Sequence, residues 1–224
     1  MSRDLLIELG TEELPPKALA SLSAALTDEF VRQLDEAGLN HGNVERFAAP
    51  RRLALLVRDL DEKQADRDIE RQGPAVQAAF DSDGNPTKAA QGFAASLGLT
   101  VDQLGRQDNG KGERLVAQIT EKGKNAAELI PAFFTQAIQK LPIPKRMRWG
   151  KRKVQFVRPA HWLVALFGDE VIPFELLDLQ SGRTSYGHRF HAPGAIDLAT
   201  AGEYAQRIEQ DGHVLADFDR RKAM

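Results

Sequence analysis

The chain has 224 residues, of which 42% are apolar and 28% charged, a composition typical of a globular protein with its own hydrophobic core. It contains no cysteine, which excludes disulfide frameworks and cysteine-ligated zinc and agrees with a reducing compartment. Its longest apolar run covers residues 162–167, far short of the ~20 residues that cross a bilayer, and the N-terminus has no signal-peptide core. We therefore expect a cytoplasmic protein without a membrane segment.

The first half of the chain alternates strand and helix patterns. Pro16 favours the first turn of a helix, Gly38 is a typical helix stop, and one apolar stripe at three- and four-residue spacing lies between them. Residues 53–57 are continuously apolar, which indicates a strand buried on both faces. The predicted elements are a strand at 4–9, a helix from Pro16 to about Ala37, and strands at 43–49 and 51–58.

The second half repeats this alternation, with turn residues between the apolar stretches. The predicted elements are a charged linker or exposed strand at 59–68, a turn at 81–85, a helix capped by Thr87 and closed by Gly98, a turn at 109–112, a strand at 113–119, a helix from an Asn125–Glu128 capping pair to Leu141, a hairpin of 162–167 with 171–177 in which Pro173 marks an edge strand, and a helix at 198–210. The pattern predicts an α+β fold, with antiparallel-rich sheets and flanking amphipathic helices. We expect two subdomains, a small one at 1–60 and a larger one at 61–224, the latter truncated at its C-terminal end.

Charge is concentrated in residues 145–153, which we call the basic segment. The chain carries 30 basic and 32 acidic residues, but the basic segment holds six basic residues and no acid, which leaves a net charge of −8 elsewhere. Lysine and arginine neutralise phosphates, and a tryptophan can stack on an unpaired base, so the pattern predicts RNA contact. A solvated loop or an anchor for an acidic partner remains the alternative. The predicted RNA-binding residues are Lys145, Arg146, Arg148, Trp149, Lys151, Arg152 and Lys153.

No local motif predicts a catalytic or metal site. His188 and His191 lie three residues apart without a third ligand nearby, and residues 81–85 place their glycine wrongly for a calcium loop. Gly110-Lys111-Gly112 lacks the spacing of a phosphate-binding loop. Glu12 and Glu13 precede a helix, where interaction with the helix dipole is their simplest role. We expect neither a catalytic residue nor a bound metal or cofactor in this chain.

Several segments, in this order, resemble one family. They are LIELGTEELPP at 6–16, APRRLALLV at 49–57, PTKAAQGFA at 86–94, PKRMRWG at 144–150, FVRPAHWLVALFG at 156–168 and SGRTSYGHRFH at 181–191. The chain is similar to the N-terminal region of the β subunit of bacterial heterotetrameric (α2β2) glycyl-tRNA synthetase, and the resemblance covers essentially its whole length.

The resemblance implies a non-catalytic part of a glycine–tRNA ligase, inactive alone, that contributes to tRNA binding and α/β assembly. Its implied partners are glycine tRNA, the α subunit and a second β subunit. ATP and Mg²⁺ are implied for the whole enzyme at the α subunit. Further contacts to RNA or to a partner are expected from Arg51, Arg52, His188 and Arg189.

Two other functions remain open from the residues. The chain could be a purely structural subunit-interaction module, with Arg51, Arg52 and the basic segment facing acidic surface of a partner. It could also be a small independent enzyme that uses His161, His188 or His191 as an acid–base group.

Overall fold

The computed structural model describes residues 2–108, 110 and 112–224, and its fold is α+β with predominantly antiparallel sheets, as the sequence predicts. The strands are β1 (Ser2–Thr11), β2 (Val44–Ala49), β3 (Arg52–Asp61), β4 (Arg67–Ala75), β5 (Gly105–Asp108), β6 (Glu113–Glu121), β7 (Ala160–Phe167), β8 (Glu170–Val171), β9 (Glu175–Leu176), β10 (Leu179–Gly182), β11 (Thr184–Tyr186) and β12 (Ala195–Asp197). The α-helices are α1 (Pro16–Ala37), α2 (Val76–Ala79), α3 (Lys88–Ser96), α4 (Ala126–Lys140), α5 (Tyr204–Gln210) and α6 (Phe218–Ala223), with 3-10 helices at Val101–Gln103 and Ala201–Glu203.

The chain forms two compact units. The large unit consists of the residues up to Gln64 together with those from Lys124 onward, and the small unit covers Ala65–Gly123. Within the large unit, β7 pairs with β1 although 149 or more residues separate them in sequence. The predicted subdomains 1–60 and 61–224 stay a prediction, because compactness alone does not test where an independently folding part ends.

The large unit is built on a seven-stranded sheet with the order β2-β3-β1-β7-β10-β9, and β8 pairs with β7. The central strand β1 is antiparallel to both β3 and β7. The pairing of β10 with β7 is parallel. Because β1, β3 and β7 lie inside the sheet and are covered on both faces, their runs are almost entirely apolar, and residues 53–57 are buried as predicted.

Alternate side chains of the sheet enter two different core layers. Leu5, Ile7 and Leu9 face a core that includes α1 and α4, whereas Leu6 faces a core that includes Tyr204 of α5. The predicted stripe of α1 is buried in the first core, and the helix ends where Gly38 adopts a left-handed φ of 68°, as predicted.

Helices α1 and α4 are joined by apolar and polar contacts. Phe30 and Phe134 meet edge to face with ring centroids 6.3 Å apart. Lys140 Nζ donates to Glu29 Oε1 at 2.8 Å, and Arg32 of the same helix also donates to the Glu29 carboxylate. These two side-chain hydrogen bonds, with Arg32 the larger influence, lower the pKa of Glu29 to about 2.

The small unit has a three-stranded antiparallel sheet with the order β4-β6-β5, and α2 and α3 belong to the same unit. Its buried apolar core is small and comprises Ala79, Ala90 and Leu115. Asn109 and Lys111 of the predicted turn at 109–112 lie outside the described residues. Within the described residues of both units, no helix combines the length and the apolar character that crossing a membrane requires.

Some local details differ from the sequence-based expectation. Thr87 occupies the N-cap of α3, but its hydroxyl donates to the carbonyl of Ala78 at 2.8 Å and leaves the helix backbone uncapped by a side chain. The hairpin after β7 forms across Gly168 and Asp169, but its second strand has only two residues. Pro173 lacks an N–H and cannot extend it, so the chain leaves β7 and pairs again only at β9.

Candidate RNA- and partner-contact surfaces

The basic segment forms a short tight turn beside the large core. Pro142 and Pro144 cannot continue α4, so the helix ends at Lys140 and the chain reverses. Met147 and Phe156 then exchange backbone hydrogen bonds of 2.8 and 3.2 Å across the turn, and Gly150 supplies a positive φ of 58°. This bridge holds the basic side chains between two anchored ends of the chain.

Most cations of the basic segment are free of intramolecular pairing. In the part of the chain that the structure describes, no ion pair involves the exposed residues Lys145, Arg148, Lys151, Arg152 and Lys153. Two predicted RNA-binding residues are partly used within the fold. The half-buried Arg146 donates to the carbonyl of Gln139 at 2.9 Å, and the half-buried Trp149 packs against the core. Five uncompensated positive charges therefore face solvent on one turn.

A second surface forms where four loops meet at one end of the large sheet. Backbone hydrogen bonds join them, from Thr11 N to Arg51 O at 2.8 Å, from Glu12 N to Pro159 O at 2.8 Å, and from Leu14 N to Pro50 O at 2.6 Å. The loop after β11 joins the same end, because Arg189 Nη1 lies 3.4 Å from Glu13 Oε1. These loops belong to the separate segments whose resemblance to one family was noted in the sequence.

The carboxylates of this end contact cations rather than a helix terminus. Glu12 lies 3.1 Å from His161, 3.6 Å from Arg189 and 3.9 Å from Arg51. Helix α1 has no acidic residue in its first turn, so the expected interaction of Glu12 and Glu13 with the helix dipole is wrong. The contacts of Arg51 and Arg189 are long and partly exposed, and ion pairs of this kind contribute only about 0–1 kcal/mol.

Arg52, next to Arg51, points into the second core and is only 2% exposed. Its Nη1 donates to Glu8 Oε1 at 3.0 Å and to Ser185 Oγ at 3.4 Å, and its Nη2 donates to the carbonyl of Tyr186. The hydroxyl of Tyr204 donates to the same Glu8 oxygen at 3.1 Å. The guanidinium of Arg52 is therefore used inside the fold.

The electrostatics of this buried group favour the ion pair. Burial opposes the charge of Arg52, but the Glu8 carboxylate and the Tyr204 hydroxyl outweigh that cost and raise the pKa of the guanidinium. Burial and then the nearby Glu8 carboxylate raise the pKa of Tyr204 well above its usual value. Tyr204 therefore stays a neutral hydrogen-bond donor, and the group fits a structural role.

Two clefts open between the loops. The first, which we call the Arg51 cleft, has a volume of about 410 Å³ and is lined by Arg51, His161, Trp162, Tyr186, Gly187, Arg189 and Pro193. The second has a volume of about 340 Å³, and its wall includes Glu13, Arg51, Arg52, His188, Arg189 and Phe190. The four residues predicted as additional contacts thus lie together, although Arg52 reaches the second cleft from a buried position.

His188 and His191 stack, with ring centroids 4.5 Å apart. The Nδ1 of His188 accepts hydrogen bonds from the backbone N–H groups of Phe190 and His191, both at 3.2 Å. Among residues 2–108, 110 and 112–224, no group of three or more side chains is arranged to hold a metal ion. The pair shapes its own loop.

Sequence reasoning did not single out Trp162 and Tyr186 as site residues, and it considered His161 only as an acid–base group. Trp162 lies in the apolar run 162–167, which is typical of a buried strand, and Tyr186 ends a short strand. The available signal was the joint occurrence of the resembling segments at 6–16, 49–57, 156–168 and 181–191.

Comparisons with known proteins agree with that signal. The family model described as glycyl-tRNA synthetase beta subunit matches residues 5–224. Relatives named glycine–tRNA ligase beta subunit include those of Marinobacter nauticus, 52% identical over 99% of this chain, Chromohalobacter salexigens, 51% identical over 99%, and Hahella chejuensis, 47% identical over 99%. The chain spans 32% of the length of each of these relatives.

Proposed function

Because the chain belongs to the glycyl-tRNA synthetase beta subunit family, we propose that it is a tRNA-binding and assembly part of a glycine–tRNA ligase. Its role in this proposal is positional. It holds the tRNA so that the 3′ end reaches an active site on an α subunit, where ATP and Mg²⁺ act. A second β subunit completes the assembly, which works in the cytoplasm.

The single observation that carries the tRNA-binding part is the basic segment. Five of its cations are exposed without acidic partners in the described chain, on a molecule whose remaining charge is −8. Each phosphate that such a side chain neutralises releases counterions, which favours binding whatever the RNA sequence. Phosphate contacts of this kind fix the position of an RNA, while base contacts would specify which RNA is bound.

The half-buried residues of the segment support the same role indirectly. Trp149 packs against the core, and Arg146 bonds the carbonyl of Gln139 near the end of α4. Both contacts limit the freedom of the turn, so less conformational entropy is lost when its exposed neighbours bind. We therefore assign phosphate contacts to Lys145, Arg148, Lys151, Arg152 and Lys153, and anchoring to the two half-buried residues.

The test is a titration of labelled glycine tRNA with the chain, followed by fluorescence anisotropy. One variant replaces the five exposed cations of the basic segment by glutamine. A matched control replaces five exposed cations elsewhere by glutamine, namely Lys17, Arg71, Lys88, Arg114 and Lys122. The proposal expects the first variant to lose at least tenfold in affinity and the control to lose clearly less, since both lose the same net charge.

The alternative is a purely structural subunit-interaction module. It expects the basic-segment variant to keep its tRNA affinity and to lose association with the α subunit. Measuring α-subunit binding of the same two variants by analytical ultracentrifugation separates the two functions, because the two measurements then move in opposite ways.

A further inference from the structure

Exposed aromatic rings are concentrated at the loop end of the large sheet. Among the described residues, the large apolar side chains with strong exposure are Met147 at 39%, Tyr186 at 37%, Phe190 at 79% and Met224 at 94%. Tyr186 lines the Arg51 cleft, and Phe190 lines the adjoining one. The two exposed aromatic rings therefore border neighbouring clefts that share two arginines.

The wall of the Arg51 cleft also carries polar donors without partners. Trp162 is only 7% exposed, and its indole N–H has no hydrogen-bond partner in the part of the chain that the structure describes. The same holds for the Nε of Arg51. A buried donor left unpaired costs about 1–3 kcal/mol. A ligand that offers acceptor oxygens would remove this cost.

The loop that closes the cleft is held firmly. A Cβ atom at Gly187 would lie 2.2 Å from the carbonyl oxygen of Ala192 and 2.8 Å from the Cα of Gly212, so only glycine fits there. The backbone N–H of His188 donates to the carbonyl of Gly212 at 2.7 Å, and that of Ala192 donates to His188 O at 3.0 Å. The position of Tyr186 beside this loop is thus fixed before any ligand arrives.

We propose that the Arg51 cleft binds one unpaired nucleotide of an RNA. Arg51 and Arg189 take the phosphate, the indole N–H of Trp162 donates to an oxygen, and the base stacks on the exposed ring of Tyr186. Unpaired bases bind proteins in this way, on aromatic rings beside cationic groups. The volume of about 410 Å³ lies in the range of small-ligand sites.

The carboxylates favour a nucleotide over a simple anion or an acidic peptide. Glu12 lies within 3.6–3.9 Å of both cleft arginines and would repel a ligand that carries only negative charge. A nucleotide carries phosphate and base donors together, so the exocyclic amino group of adenine, guanine or cytosine can donate to Glu12. This inference rests on the proposed tRNA-binding role and adds a base contact to the phosphate contacts of the basic segment.

Tryptophan fluorescence tests the cleft separately from the basic segment. The chain has two tryptophans, so the variant Trp149→Phe retains Trp162 beside the cleft as its only one. We would titrate this protein with an unlabelled single-stranded RNA of five adenosines and follow its tryptophan emission. Saturable quenching is expected. Tyr186→Leu and Arg189→Ala, each in this background, should weaken binding about tenfold.

Two matched controls accompany these variants. Tyr186→Phe keeps the stacking ring and should bind within twofold, and Lys17→Ala removes an exposed cation elsewhere with the same expectation. Because Tyr186 lies 5.2 Å from Trp162, ring centroid to ring centroid, its replacement could also shift the reporter. The Arg189→Ala variant leaves that ring pair untouched and makes the result independent of it.

Each outcome decides the inference. No saturable change of Trp162 emission, while anisotropy still shows tRNA binding, would overturn the cleft and leave the proposed function standing. A response to a hexaglutamate peptide but not to RNA would identify a protein-docking site and overturn the inference as well. Quenching by the oligonucleotide without tRNA binding would support the cleft and count against the proposed function. A failure of both measurements would reject both.

Discussion

Replacing Arg52 tests whether its guanidinium is structural, in contrast to that of its neighbour Arg51. Arg52 is 2% exposed and is paired with Glu8, which is fully buried. In an Arg52→Leu variant the carboxylate of Glu8 keeps only the hydroxyl of Tyr204, at 3.1 Å, as a printed hydrogen-bond donor. Breaking a buried pair by removing one partner costs about 3–5 kcal/mol, because the remaining charge stays buried without compensation.

The double variant Glu8→Leu with Arg52→Leu should recover much of that loss. It removes both charges, and apolar replacement of a buried pair is often close to neutral. The hydroxyls of Tyr204 and Ser185 then lose partners, which costs about 1–3 kcal/mol for each buried group left unpaired. We expect the double variant to be at least about 2 kcal/mol more stable than the sum of the single losses predicts.

The assay is urea unfolding followed by tryptophan fluorescence, which reports the large unit because both Trp149 and Trp162 belong to it. Arg51→Ala is the matched control. It should lower the free energy of unfolding by no more than about 1 kcal/mol, since its ion pair with Glu12 is long and partly exposed. An Arg52→Leu variant as stable as the wild type, or losses at Glu8 and Arg52 that simply add, would refute the structural assignment.

Two further predictions concern a pH-dependent bridge and two glycines. The folded pKa of Glu29, about 2, lies below its ordinary 4.5, so its contribution to stability is complete above pH 4.5 and is lost as the pH falls towards 2. The gap in unfolding free energy between wild type and Glu29→Gln should close over that range, and a gap that stays constant would contradict the bridge. Gly10→Ala should destabilise the protein by about 1–3 kcal/mol, because its Cβ would lie 1.9 Å from the ring of Trp162. Gly92→Ala, in an open position within α3, should instead stabilise the small unit by about 0.5–1 kcal/mol, and thermal unfolding that shows equal signs for both glycines would contradict this reasoning.

The parts of the fold that the sequence predicts well are those with a long, regular apolar pattern. The stripe from Leu19 to Leu34 repeats over five turns, so burial and helix propensity agree and α1 forms between Pro16 and Gly38 as expected. The apolar run 53–57 likewise could only be a strand covered on both faces. Where one residue decides, as with Pro173 in the hairpin, the pattern predicts an edge but not how soon the strand stops.

The loop cleft could not be derived from local pattern. Arg189 contacts Glu13 across 176 positions, and no periodicity encodes such a meeting. Arg51 and Arg52 are adjacent and identical in type, and strand alternation implies only that they point to opposite sides. The turn before β3 and the antiparallel pairing of β3 with β1 decide which of them is buried, and both are set by tertiary packing. The family resemblance compensated by grouping the segments before their geometry was known.

The salt dependence of tRNA binding tests the central claim most directly. We would measure the affinity of the chain for labelled glycine tRNA at several salt concentrations, beside the variant with glutamine at Lys145, Arg148, Lys151, Arg152 and Lys153. Each lost phosphate contact should flatten the plot of log affinity against log salt by about 0.7–0.9. We predict that the slope flattens by about 2–4 in the variant. Identical slopes for the two proteins, or no binding by either, would contradict a role of the basic segment in holding tRNA.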